Sequence, residues 1–240
     1  MSLTGLFLAL GFSFIHLSSR HFKLRLFSVN QFTSFVGGIS LAYVFFHLIP
    51  TVQGYEHEIM ETFHISSQNA SHLIFGSMLA GIVVFYFLEL ALKSSRLKLA
   101  KRDFSTSGIF WAHIGSYFLY NFIIGILLSN QRFETTFTAL LYLFAIGVHF
   151  MTNDWVLRHH FEKLYDRYGL KLLVASVLLG WLLGLTIHIS HTYMGLLEAF
   201  VAGGLILNAL KDELPACKGS GMTSFMVGLV FYSGLLMFIL

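Results

Sequence analysis

The chain has 240 residues, of which 56% are apolar, 16% aromatic and only 11% charged, with a formal net charge of +3. That composition excludes a soluble domain and directs attention to apolar runs of about 17–25 residues, the length that crosses a bilayer as a helix. The one cysteine, Cys217, excludes an intramolecular disulfide and a zinc cage built from cysteines.

Eight such runs are expected, near 3–17, 31–50, 72–92, 108–128, 136–157, 171–189, 194–210 and 222–240. The first has no Lys or Arg ahead of it and no small-x-small cleavage pattern behind it. It is read as a retained helix that enters with its N-terminus outside, rather than as a signal peptide. The second ends in His47-Leu-Ile-Pro50. The segment after it, 55–72, carries Glu56, His57, Glu58, Glu61, His64 and His72. It is either a solvated loop or a patch that concentrates cations.

The third run carries Glu89, spaced to pair with Lys93. The fourth carries His113, Ser116, Tyr117 and Tyr120 at i, i+3, i+4 and i+7, one polar stripe with Asn121 at its edge. The fifth carries His149 and Asn153 on one face, with Asp154 turned about 100° from Asn153. The seventh carries Glu198 near its start, close in sequence to His188 and His191. No stretch remains for a soluble domain, so residues 1–240 read as a single polytopic membrane domain.

The connecting segments carry charge unequally. Alternate segments hold 14 of the 15 Lys and Arg: Arg20 to Arg25, Lys93 to Arg102, Arg158 to Lys171, and Lys211 with Lys218. The other set holds only Arg132. The positive-inside rule places the rich set in the cytosol and both termini outside. The basic balance comes from these flanks and calls for no nucleic-acid partner. The short loops suit a plasma membrane, although the same composition fits an organelle.

Two stretches repeat. FVGGISLAYVFFHLIP (35–50) and FVAGGLILNALKDELP (200–215) are each 16 residues long, open on Phe-Val and small residues, and end at the only prolines, Pro50 and Pro215. By the charge count they run in opposite directions through the membrane. They would be the second helices of two inverted repeats, spans 1–3 and spans 6–8, an organisation common among secondary transporters. Gly37, Gly38, Gly203 and Gly204 would let helices approach closely.

Ionisable groups at membrane depth usually face a cavity or a partner. Spans 4 and 5 are joined by a short outer loop, and counting residues from it puts His113 and His149 at matching depth. Imidazole, amide and carboxylate there define a candidate divalent-cation site of His113, Asn121, His149, Asn153 and Asp154, unless they form only a satisfied polar network. His47, Tyr120 and Glu198 are candidate entrance or pathway residues.

These residues resemble the ZIP family of zinc and iron transporters. FVGGISLAYVFFHLIP is similar to that family's second helix, which usually ends His-Leu-x-Pro-Glu; Thr51 stands in place of the Glu. EAFVAGGLILNALKDELP (198–215) is similar to its seventh helix. YNFIIG (120–125) lies where helix 4 often has His-Asn-x-x-acid-Gly, and HFMTND (149–154) where helix 5 often has His-Glu-x-Pro-His-Glu. Asn121, Gly125, His149 and Asp154 keep the pattern by type. Tyr120, Ile124, Phe150, Thr152 and Asn153 depart from it, so the family's two-metal centre is not reproduced.

The resemblance implies an all-α fold of eight transmembrane helices in a 3+2+3 arrangement. It also implies transport of zinc or a similar divalent metal toward the cytosol, with the ion as substrate and no resident cofactor. The expected partners are that ion, the lipid bilayer and a second copy of the chain. Two other readings stay open. One is a degenerate ZIP fold that moves no metal. The other is an intramembrane zinc hydrolase, with His113, His149 and Asp154 on the metal, a metal-bound water as attacking group and Ser116 orienting the oxyanion.

Overall fold

The computed structural model describes residues 3–19, 21, 28–99, 106–131, 133, 135–215 and 221–239. Arg20, Lys23, Arg25, Lys101, Arg102, Lys218, Arg132 and Cys217 lie outside the described residues, as do the side chains of Glu89, Lys93, Arg96 and Lys98. The described residues are helical almost throughout. They form α1 (Leu3–Ser19), α2 (Val29–Tyr43), α3 (Ile49–Gln53), α4 (Glu56–Phe63), α5 (Ser67–Leu99), α6 (Thr106–Asn130), α7 (Thr136–Leu164), α8 (Leu170–Thr186), α9 (His191–Asn208) and α10 (Gly221–Ile239). Three single π-helical turns interrupt this series at Val44–Leu48, Tyr165–Gly169 and Ala209–Glu213.

Among the described residues, six stretches are long and apolar enough to cross a membrane: Asn30–Phe63, Ser67–Leu88, Gly108–Asn130, Thr136–Thr186, His191–Lys211 and Gly221–Phe238. This is an all-α, membrane-embedded type of protein. The sequence reading expects eight crossings. The numbers differ because expected spans 5 and 6 fall in the single 51-residue stretch Thr136–Thr186, and α1 has only 17 residues.

Local chemistry sets the helix ends. Ser28 and Gln31 form a reciprocal capping box at the start of α2, and Thr135 and Thr138 form another at α7. The first π turn precedes Pro50. Proline has no N–H to give the carbonyl four residues back, and its ring crowds that carbonyl. The ladder slips by one residue, with Ile49 N–H bonding to Val44 O, while the Thr51 hydroxyl donates to His47 O at 2.8 Å. The last π turn precedes Pro215, and Leu214 is extended (φ −65°, ψ 140°), as a residue before proline tends to be. In the aligned 16-residue repeats the two turns coincide, because Val44–Leu48 and Ala209–Glu213 are both offset by 165 positions.

The chain divides into two compact, interleaved units. The first comprises Met1–His21, Val83–Leu143 and Phe150–His188. Here α6 lies along α8, and α1 packs on both. Glycines make the close approaches: a Cβ at Gly125 would meet the Val177 carbonyl, and one at Gly180 the Phe122 carbonyl. An aromatic cluster of Phe110, Phe161 and Tyr165 with Ile114, Leu157 and Leu173 fills one end of this core.

The second unit comprises Phe22–Ile82, Phe144–His149 and Ile189–Leu240. Here α2 lies along α10. Gly38 abuts the Phe225 carbonyl, and Gly228 the Phe35 carbonyl. Helix α9 meets α5 in the same manner, with Gly203 against the Met78 carbonyl and Gly81 against that of Phe200. The two repeat segments therefore use equivalent glycines, Gly38 and Gly203, to seat a neighbouring helix. Each also packs on the other's π turn, α2 on Ala209–Glu213 and α9 on Val44–Leu48.

Candidate functional site

Within the first unit, three helices bring polar side chains together. His16 of α1 donates from Nδ1 to Asp154 Oδ2 of α7 at 2.8 Å. The Asn121 amide of α6 donates to His16 Nε2 at 3.1 Å. With the amide nitrogen so placed, the ring is the neutral tautomer protonated at Nδ1. His16 is 1% exposed and Asp154 0%. Phe150 stacks on the imidazole at 5.0 Å between ring centres, and Phe12 packs on Phe150 at 5.1 Å. Ser19 ties the end of α1 to the same region: its hydroxyl donates to His16 O at 2.7 Å and lies 3.1 Å from Tyr165 Oη. Asp154 Oδ1 is buried with no hydrogen-bond partner among the described residues. A carboxylate holding a histidine by Nδ1 is the arrangement that orients imidazoles toward metals.

Within the second unit, His149 of α7 donates from Nδ1 to Glu213 Oε1 at 2.7 Å, and both side chains are 0% exposed. Glu213 closes the last π turn. Near the start of α9, the Tyr55 hydroxyl donates to Glu198 Oε1 at 3.4 Å. The Tyr55 ring lies on Gly195, where a Cβ would come within 2.6 Å of it, and stacks with His191 at 6.4 Å.

The sequence-predicted residues thus separate. Asn121 and Asp154 come together, on His16. His149 belongs with Glu213. His113 packs on Phe161, with 6.1 Å between ring centres. Asn153 is buried on α7 beside Thr152 and Asp154. Tyr120 is buried with its ring edge-on to Phe85 and Phe150. His47 sits in the first π turn against Tyr43, and Glu198 meets Tyr55. Among the described residues, no three His, Cys, Asp or Glu side chains converge as a ready-made metal cage.

Sequence reasoning missed His16 and Glu213. The signal for His16 was a lone histidine in a 17-residue apolar helix. The signal for Glu213 was a carboxylate two residues before the proline that ends its repeat.

No protein-family model matches the chain, and no curated protein matches it in sequence.

Proposed function

We propose that the protein is a ZIP-like carrier that moves a divalent metal cation, zinc or a similar ion, across a membrane toward the cytosol. The observation that carries this reading is the His16–Asp154–Asn121 network. It brings an imidazole, a carboxylate and an amide together among apolar helices, and ionisable groups within membrane spans ordinarily serve a pathway. Asp154 is a buried carboxylate that faces both the His16 ring and the Tyr165 hydroxyl, and on this reading it is the charged ligand. His16 supplies a nitrogen ligand where the helix 4 motif has Tyr120 in place of histidine. On this reading Tyr120, His47 and Glu198 keep the entrance or pathway roles expected of them from the sequence.

The eight-crossing, 3+2+3 plan with inverted repeats belongs to the same proposal. The in-register π turns and the equivalent roles of Gly38 and Gly203 support a repeat. The 51-residue apolar stretch is long enough for two crossings, and Phe161 (φ −138°, ψ 40°) breaks its helical geometry. The charge count supports termini outside a plasma membrane.

The test is zinc uptake into proteoliposomes. Asp154→Asn and His16→Ala should each abolish uptake while Tyr117→Phe retains it. Undiminished uptake in both of the first two would sink the site.

One observation favours the degenerate-fold reading. The buried imidazoles of His16 and His149 each already bond to a carboxylate of this chain. On that reading the purified wild type holds no zinc and moves none.

A further inference from the structure

The connection from α7 to α8 carries a basic surface that the carrier reading does not use. It lies wholly within the first unit. Phe161 leaves helical geometry (φ −138°, ψ 40°), and the π turn Tyr165–Gly169 follows it. Beyond the break, Lys163, Arg167 and Lys171 recur at every fourth position, and all three are exposed. On a plain α-helix that spacing drifts by about 40° at each step. The wider π turn takes up part of the drift, so the three cations form one row.

The neighbouring acids do not cancel this row. Asp166 is engaged by Arg158, which donates from Nε to Oδ1 at 2.8 Å and from Nη2 to Oδ2 at 3.1 Å. Glu162 lies 4.0 Å from the same guanidinium. Arg158 thus serves both carboxylates, while Lys163, Arg167 and Lys171 make no ion pair among the described residues.

Two amphipathic rings stand beside the row. The Arg167 guanidinium lies 5.0 Å over the Tyr168 ring. Tyr168 packs on Trp111 of α6 at 5.5 Å between ring centres, and Trp111 on the buried Phe110 at 5.3 Å. Trp111 and Tyr168 themselves stay 44% and 36% exposed. Trp111 stands in the first turn of the apolar stretch Gly108–Asn130, where hydrocarbon gives way to headgroups. Setting the direction of insertion requires only Lys and Arg somewhere in a loop. It does not require that they share a row, that the acids be engaged by another cation, or that exposed Trp and Tyr lie alongside.

We infer that this surface binds the headgroup of an anionic phospholipid of the surrounding bilayer. Lys163, Arg167 and Lys171 meet the phosphate, and Trp111 and Tyr168 lie against the glycerol and the upper acyl chains. Arg167 can offer one phosphate two parallel N–H donors, and the lysines add point charge. The ring pair assigns the row to a membrane lipid rather than to a soluble phosphate, because exposed Trp and Tyr at the end of an apolar helix sit at headgroup level. The inference is independent of the carrier reading.

The test uses the full chain in phosphatidylcholine nanodiscs, with Trp155→Phe and Trp181→Phe leaving Trp111 as the one tryptophan. Its quenching by brominated phosphatidylglycerol is compared with that by brominated phosphatidylcholine at equal mole fraction. Each cation beside an anionic lipid favours binding roughly fivefold, so the anionic lipid should be preferred roughly tenfold or more. Arg167→Gln should lower that preference several-fold. The triple variant Lys163→Gln, Arg167→Gln, Lys171→Gln should abolish it. Lys163→Arg with Lys171→Arg should keep it, which separates lost charge from lost folding. Removing equal charge from another basic flank, by Lys93→Gln, Arg96→Gln and Lys98→Gln, should leave it in place. Equal quenching by the two lipids overturns the inference, as does a preference that survives the first triple variant or falls equally in the second. Displacement of the brominated lipid by millimolar glycerol phosphate would assign the row to a soluble phosphate and overturn the lipid assignment.

Discussion

Gly38 of α2 rests against the carbonyl oxygen of Phe225 in α10, with no room for a single carbon between them. Gly203 of α9 holds the same relation to Met78 of α5. In a membrane, where lipid tails are as apolar as leucine, such backbone approaches supply much of the attraction between helices. Gly38→Val and Gly203→Val should each cost about 1–3 kcal/mol, the usual cost of overpacking. Gly76→Ala, with open space around it, should cost little. Thermal unfolding in detergent, followed by loss of the monodisperse peak, checks all three.

The His16–Asp154 pair should show the asymmetry of buried charge. Removing one partner leaves the other unsatisfied, so His16→Ala or Asp154→Ala should cost about 3–5 kcal/mol. The double His16→Leu, Asp154→Leu variant should recover much of that stability and none of the uptake. A denaturant series on the four proteins measures the coupling. A simple sum of the two single losses would argue against a direct interaction.

How much of this could be read from residues alone? The apolar runs and the all-helical fold class were legible, because membrane length and helical periodicity are local properties. Asn121 and Asp154 are expected close together on spans 4 and 5, and each bonds to His16. Their actual partner, His16, lies 105 and 138 positions away, and nothing local announces that separation. His113 shows the opposite limit: its polar stripe was real in periodicity, but its neighbour is the Phe161 aromatic cluster. Glu213 was hidden because its facing depends on a π turn, which sequence periodicity treats as ordinary helix.

Tyr55→Phe isolates the contact near the start of α9. It deletes the hydroxyl that Glu198 Oε1 accepts, while the ring stays seated on Gly195. Since Glu198 Oε2 already has no partner among the described residues, the variant leaves the buried carboxylate with neither oxygen bonded to a side chain described here. The expected cost is about 1–3 kcal/mol. The second change Glu198→Leu should restore stability. Melting curves of the single and double variants decide it.

The charge-based orientation can be checked without any transport assay. With Cys217 replaced by serine, a single cysteine at exposed Gln53 should react with a membrane-impermeant maleimide on intact cells. One at exposed His159 should react only after the membrane is opened. The reverse pattern would invert the assigned direction of transport.

The paired π turns carry a consequence for how the chain may be edited. Each repeat segment holds one residue more than its helix needs, and holds it at the same place, Val44–Leu48 and Ala209–Glu213. Deleting one residue from either turn would shorten the chain by a single step and still leave a continuous helix. Ile49 N–H already reaches Val44 O across five residues, so removing one residue between them turns the same bond into an ordinary α-helical one, and everything beyond keeps its present facing. The same deletion inside an unbroken stretch of α-helix would turn everything beyond it by about 100°. The two π turns are therefore the places where this chain can lose a residue without turning a helix.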